Sequence, residues 1–476
     1  MKHAGERATV VVDELELVAL GDARLNERAK KVARALASQP EAGFPHALAT
    51  EAELEGFYRL LANEKVTPDK LLAPHIDATI ARMRCDDFTL VVHDNTEFRF
   101  GGSEGRAGLG KVGSTGCGLF AHFALAISPE SRDPLGVLTV EPWVRSGDSP
   151  TKQRKKDPSK YAALRKLTSE QDRWFEMTER VEQRVAGEAA VVHVMDSESD
   201  DYALLWNLQR SNYRHVLRLC YDRRLDAEAT GSRPKEKTKA FVARATVRAS
   251  RTVTLAKRKG AIAGGRTRRS APRLQRDATL AIRAERVVFC RPAQCTSTAP
   301  RRLSVNVVAV CEKAAPVGVE PVEWFLLTTE PIDTKEEILR VVDAYRARWI
   351  IEEYFKALKS GCAFEKRQLE TKTTILKALA LFTPIAWALL RMRTLSRQTP
   401  KAPATTVLSH VQIKLLHAQT KIPITPKSTV LDAWSAIARL GGHLKSNGPP
   451  GWQVIGRGYT DLLILEAGYK IAKAEK

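Results

Sequence analysis

Apolar and polar positions change period several times along this chain, and each change predicts a new kind of element. Residues 1–75 carry helical spacing, with Asp22 and Thr67 as capping residues and Pro68 opening a further helix. FTLVVHD, residues 88–94, is a short continuous apolar run ending in an acid, which predicts a buried strand. FAHFALAIS and PLGVLTVEPWV predict two more strands, and the polar stretch 146–162 a surface loop. A helix over about 165–186 leads into AAVVHVMD, residues 189–196, a second apolar run ending in an acid; DYALLWNLQR then reads as a helix. Between 209 and 325 the patches YRHVLRLC, ATVRAS, RTVTLA, ATLAIRA, ERVVFC and LSVNVVAVCE predict a mostly β insertion. WFLLTTE, 324–330, is one more strand, followed by a long helix over about 334–360. The remainder is helical, with proline-containing breaks at 397–403 and 421–427. The fold class expected is α/β.

Composition narrows the class. The chain has 476 residues, 43% hydrophobic and 28% charged, which fits a globular protein of two or three domains. No run of about 18 uncharged apolar residues occurs, so no transmembrane helix is expected. The start, MKHAGERATVVVDELELV, lacks the apolar centre of a secretion signal, and a cytoplasmic location is expected. Seven cysteines with no C-x-x-C pair argue against a disulfide framework and a zinc site.

Charge gives the first functional hint. Net charge is +21, and the excess is local: residues 209–302 hold 25 Lys and Arg against six Asp and Glu. Lys257, Arg258, Lys259, Arg266, Arg268, Arg269, Arg273 and Arg276 crowd around a GAIAGG stretch. Such a loop can lie along a phosphate backbone and release its counterions; a solvated loop touching nothing fits equally well. In the first seventy residues ten basic side chains face twelve acidic ones, yet ARLNERAKKVARALAS sets Arg24, Arg28, Lys31 and Arg34 at i, i+3 and i+4 spacings. That face suits docking on DNA or plain solvation.

The chemistry rests on acids. Asp94 and Asp196 both fall at carboxyl ends of apolar strand candidates, the edge of an open α/β sheet where ligands bind. Two carboxylates there repel unless a cation neutralises them, and hard oxygen ligands suit Mg²⁺ or Mn²⁺. The helix 334–360 adds Tyr345, Arg348, Glu352 and Lys359, in the pattern Y-x2-R-x3-E-x6-K, with Lys356 nearby. On an ideal helix these four span an arc of about 60°. Glu352 is then a third metal ligand, Arg348 and Lys359 hold phosphate oxygens, and Tyr345 bonds a phosphate or stacks on a sugar or base. A solvated helix with an Arg348–Glu352 ion pair is the plain alternative.

With these residues in view the chain resembles the DDE cut-and-paste transposases of the insertion-sequence-four family. The resemblance is carried by ALGDARLNERA, EGFYRLLAN, HDNT, VMDSESD, WFLLTTEP, YRARWIIEEYFKALKSG and AIARLGG, in the expected order along nearly the whole chain. It implies an RNase H-like catalytic core with Asp94, Asp196 and Glu352 as the triad, binding two Mg²⁺ or Mn²⁺ ions. It implies a β-rich insertion between the second and third acids. It implies a helical transposon-end DNA-binding domain over 1–75, a catalytic domain over 76–375 and a C-terminal helical dimerisation domain over 376–476. The partners implied are double-stranded transposon-end and target DNA and a second copy of the chain, with no membrane. Trp324 matches the family's tryptophan that stacks on a flipped base; a core aromatic fits the residue as well. Trp349, inside the signature, can pack or stack.

Two departures stand out. The family's D-R-E-A-D reads D-S-E-S-D here, so Ser197 replaces the arginine while Glu198 and Asp200 remain. The tail after AIARLGGHLKS diverges. Rival readings are a metal nuclease without strand transfer, an inactive DNA-binding descendant, and, on charge alone, an RNA-binding protein.

Overall fold

A computed structural model describes residues 14–144, 170–255 and 274–474, apart from 16, 49, 102–105, 114–115, 294, 296–297, 421, 445 and 447. Asp22 accepts from the backbone N–H groups of Arg24 and Leu25 (2.9 and 3.1 Å) and caps α1 (Ala23–Ser38). Its buried stripe is Ala29, Val32, Ala33 and Leu36, at i, i+3, i+4 and i+7. The short α2 (Phe44–Ala47), α3 (Glu51–Ala62) and α4 (Pro68–Met83) follow, with Thr50 capping α3 and Thr67 capping α4.

Ten strands then form one mixed sheet. They are β1 (Thr89–Phe100), β2 (Gly110–Val112), β3 (Gly116–Ile127), β4 (Pro134–Trp143), β5 (Val191–Met195), β6 (His215–Arg218), β7 (Ala249–Leu255), β8 (Arg276–Cys290), β9 (Arg302–Glu312) and β10 (Glu323–Thr328). Their order is β2-β3-β1-β5-β6-β10-β9-β8-β7, with β4 also paired to β3. The centre, β1-β5-β6, is parallel, and the flanking pairs are antiparallel. The strands β7 to β9 of the basic segment continue this sheet through β9–β10 pairing.

Two expectations need correction. β1 does not end at Asp94. Its parallel ladder with β5 stops at Val92↔Val194, but β3 goes on pairing it to Phe100↔Cys117, so the strand outlasts its apolar run. The helix over 334–360 is also broken. Thr334 and Glu337 form a capping box that opens α9 (Lys335–Ala347). The chain tightens at Arg348, whose N–H donates to Tyr345 O (3.1 Å), and resumes as α10 (Trp349–Lys356). A π turn over Ala357–Gly361 ends it, closed by Cys362 N–H to Ala357 O (2.8 Å).

Helices cover the sheet. α5 (Glu170–Val185) and α6 (Tyr202–Arg210) surround β5 in the chain, and α7 (Ala227–Thr230) and α8 (Thr238–Ala243) lie between β6 and β7. The C-terminal helices are α11 (Lys372–Gln398), α12 (His410–Thr420), α13 (Val430–Leu440) and α14 (Trp452–Ala474). α11 is long and apolar enough to cross a membrane by composition, but it is packed in the core. Trp387 is fully buried there and donates to Pro134 O (2.7 Å). Lys377, buried in the same helix, donates to Leu61 O and Asn63 O (2.8 Å each), carbonyls at the end of α3 that have no helical partner of their own. The largest apolar core runs from Leu15 through α1–α4 and the sheet to Trp452, and a separate one joins α12, α13 and α14.

α14 reaches its neighbours backbone to backbone. A Cβ on Gly456 would lie 2.6 Å from Gly361 O in the π turn, and one on Gly458 1.8 Å from Ile437 O of α13.

Candidate active site

Register brings the first two acids together. Continuing the β1–β5 pairing beyond Val92↔Val194 sets Asp94 level with Asp196, one residue past the end of β5. Neighbouring strands lie about 4.8 Å apart. Asp196 also caps the short 3₁₀ turn Ser197–Ser199, accepting from Glu198 N–H at 2.8 Å. The break between α9 and α10 delivers the third acid: the Arg348 guanidinium donates to Asp94 Oδ2 (2.9 Å) and to Glu352 Oε1 (2.6 Å).

The cluster is electrostatically strained. Burial pushes the Asp94 carboxyl up to about 7; Asp196 and Glu352 push the same way, while Arg348 and the Asn95 N–H pull it down. Burial works against the charge on Arg348, and Asp94, Tyr345 and Glu352 together more than restore it. Burial also raises the Tyr345 phenol, against Arg218 and Arg348. Arg348 Nε is buried and has no hydrogen-bond partner among the described residues.

This donor set fits a divalent cation in kind. Asp196 and Glu352 both act on the Asp94 carboxyl, and a guanidinium supplies positive charge between Asp94 and Glu352. Among the described residues, no three acid, histidine or cysteine side chains stand as a ready cage for a metal. Asp94 and Glu352 are joined through Arg348, and Asp196 lies level with Asp94 beyond the end of β5.

The other predicted contacts divide. Trp324 is half-buried and lies edge-to-face on Tyr345 (5.7 Å between centroids), so it touches the signature while packing as a core aromatic. Trp349 is 55% exposed, with the Arg348 guanidinium over its ring at 5.1 Å. Lys359, on the π turn, donates to Glu97 O and lies over Phe98; burial lowers its ammonium, against Glu365 and Glu97. The ideal-helix stripe therefore does not extend to Lys359. Lys356 is exposed and pairs with Glu353 (2.7 Å). Arg24, Arg28, Lys31 and Arg34 are all exposed on α1.

The basic segment is less available than its composition suggests. Arg276 pairs with the buried Glu312, Arg251 with Asp343, Arg214 with Glu330, Arg286 with Asp333, and Arg302 with Asp226 and Glu228. Acids drawn mostly from other segments neutralise what looked like a surplus. Lys257, Arg258, Lys259, Arg266, Arg268, Arg269 and Arg273 lie outside the described residues.

Sequence reasoning missed two buried networks beside the site. Asp200, retained from the family motif, is structural: it accepts from Cys220 N–H (2.5 Å), Tyr221 N–H (2.8 Å) and the buried Arg223. Behind the acids His122, His93 and His193 form a row across β3, β1 and β5, and His215 of β6 pairs with His193 in register. The readable signal was a histidine one residue before Asp94 and three before Asp196, in VVHD and VVHVMD.

Comparison with known families decides the class. Residues 8–66 match the model of the transposase DNA-binding domain, and residues 172–383 match that of the transposase DDE domain. The chain is a DDE transposase. Asp196 and Glu352 fall inside the DDE match, and Asp94 precedes it. The transposase is thus a DNA-binding, DNA-cleaving and strand-transferring enzyme with an RNase H-like domain set in a mixed α/β fold. Among solved structures it is similar to the cryo-EM structure of the piggyBac transposase synaptic complex with hairpin DNA. The identity is 9%, over 83% of this chain and 75% of that one, with a TM-score of 0.33. A likeness that shallow carries no functional weight.

Proposed function

We propose that this transposase is of the insertion-sequence-four type, similar to the transposase of transposon five, and that Asp94, Asp196 and Glu352 hold the divalent cations at the scissile phosphodiester. The carrying observation is the Asp94 carboxyl, raised to about 7 between two further acids and tied to one of them through Arg348. Bound Mg²⁺ or Mn²⁺, two per site, supplies activation of an attacking oxygen and stabilisation of a leaving one.

The chain's own residues do the rest. Arg348, with an unused Nε, turns part of its guanidinium to a nonbridging phosphate oxygen. Tyr345 positions the strand, and Trp324 beside it takes an unstacked base. Lys359 and Lys356 hold further phosphates once their present partners are released. The exposed cations of α1 bind the transposon end.

In the first displacement a water oxygen bonds to phosphorus as the 3′ oxygen leaves and takes up a proton. The freed 3′-OH attacks a phosphodiester of the opposite strand, giving a hairpin as the flanking strand leaves on its own 3′ oxygen; water reopens the hairpin and frees the 3′-OH again, which joins target DNA as a target-strand 3′ oxygen leaves and takes up a proton. Two copies of the chain pair the two ends.

The test uses linear DNA bearing the repeats that flank the gene, with a target plasmid. Asp94→Asn, Asp196→Asn and Glu352→Gln each abolish cleavage while end binding persists. Retained cleavage in any of them overturns the triad. Cleavage without joining identifies a nuclease instead.

A further inference from the structure

On the face of β1 and β5 opposite Asp94 and Asp196, the buried histidines form a directed chain. Main-chain pairing of the two strands ends at Val92↔Val194. There a side-chain contact takes over: His93 Nε2 meets His193 Nδ1 at 2.8 Å, one residue before Asp94 and three before Asp196. His122 Nε2 reaches His93 Nδ1 from β3 (3.3 Å), and His193 Nε2 reaches Glu182 Oε1 of α5 (3.0 Å).

All three imidazoles are buried. The Glu182 carboxylate only accepts, which sets the tautomers. His193 donates to Glu182 from Nε2, His93 donates to His193, and His122 donates to His93. Every contact in the chain then has one donor and one acceptor.

A satisfied buried chain of this kind rigidifies what it spans. Here it spans the two strands that carry the acids. Cation ligands must hold their distances to about 0.2 Å, which the strand pair cannot guarantee once its own ladder has ended.

We propose that the His93–His193 hydrogen bond is a positioning clasp that sets the spacing of Asp94 and Asp196 and thereby the affinity of the site for a divalent cation. The inference rests on those two acids being cation ligands. Neither histidine touches substrate.

The experiment is a Mn²⁺ titration of the DNA-free full-length chain, followed by electron paramagnetic resonance. Asp94→Asn comes first: if it leaves the isotherm unchanged, the assignment of the acids fails, whatever the histidines do. Two His93 variants then separate the clasp from general polarity. Gln carries its amide N–H to the Nε2 position and keeps the bond to His193. Asn stops at the Nδ1 position and loses it. His93→Gln should bind Mn²⁺ within about twofold of the parent, and His93→Asn about 10-fold more weakly. Equal affinity in the two variants, high or low, overturns the clasp. If the His93 variants do not fold, His193→Asn, which keeps an acceptor at Nδ1, is compared with His193→Leu and read in the same way.

Discussion

Two polar groups are buried on opposite faces of one strand pair, and they differ in how they are settled. In the histidine row donors and acceptors are matched from His122 to Glu182. The acid cluster has three carboxyl groups acting on one another and one guanidinium divided between two of them. The first arrangement is complete as it stands and holds its strands in place. The second holds a carboxyl near 7 and leaves an arginine nitrogen without a partner, which is what a site awaiting a cation and a phosphate looks like. Residual imbalance, not burial, therefore marks the cluster that is to meet a ligand.

The strongest break of that contrast is removal of an acid. Glu352→Gln should lower the rate of DNA cleavage by about 10³-fold or more, measured in single turnover, with end binding intact by gel shift.

Next comes pH. Only ionised Asp94 can ligate a cation, so at limiting Mn²⁺ cleavage should rise with pH through about 7, and saturating Mn²⁺ should move the midpoint to lower pH. A midpoint that ignores Mn²⁺ concentration would separate Asp94 from the metal.

A smaller effect concerns stability. The folded protein keeps a proton on Asp94 that the unfolded chain has lost above about pH 4. Its contribution is fully present below that value and disappears as pH rises through about 7. Asp94→Asn should flatten this decline and melt a few degrees higher than the parent at pH 8, read by calorimetry across pH 4–8. Burial lowers His93 and His122, so they contribute the opposite slope, stability rising with pH toward the ordinary histidine value.

The smallest effect is expected where an ion pair is open to water. Arg286→Ala removes the pair with Asp333, both side chains 63% exposed, and should change stability by less than about 1 kcal/mol in denaturant titration. A larger loss would mean that the pairs of the basic segment resemble the Arg348 cluster more than the surface.

Much of this was legible beforehand because it is local. Apolar runs located β1, β5 and β10, and caps at Asp22 and Thr67 located α1 and α4. Asp94 and Asp196 were legible because each sits just beyond the β1–β5 ladder. What was not legible is relational. Nothing in the period of β1 says that β3 carries it past Asp94 to Phe100. An ideal helical wheel ignores the tightening at Arg348 and the π turn, so it misplaced Lys359, which turns to Glu97. Composition counted the arginines at 209–302 as surplus because their acids, such as Asp343 and Glu312, lie far away in sequence.

The glycine contact of α14 has a mechanical consequence. Side chains normally cushion one helix against another, and a shove is absorbed in rotamer changes. Gly456 rests on the carbonyl of Gly361 with nothing in between, and Gly361 closes the turn that follows the Glu352 helix. Whatever grips the last helix of this transposase therefore pushes directly on the segment that carries the third acid. A methyl group at Gly456 should be felt as a misplaced Glu352, visible as slower cleavage at unchanged DNA affinity.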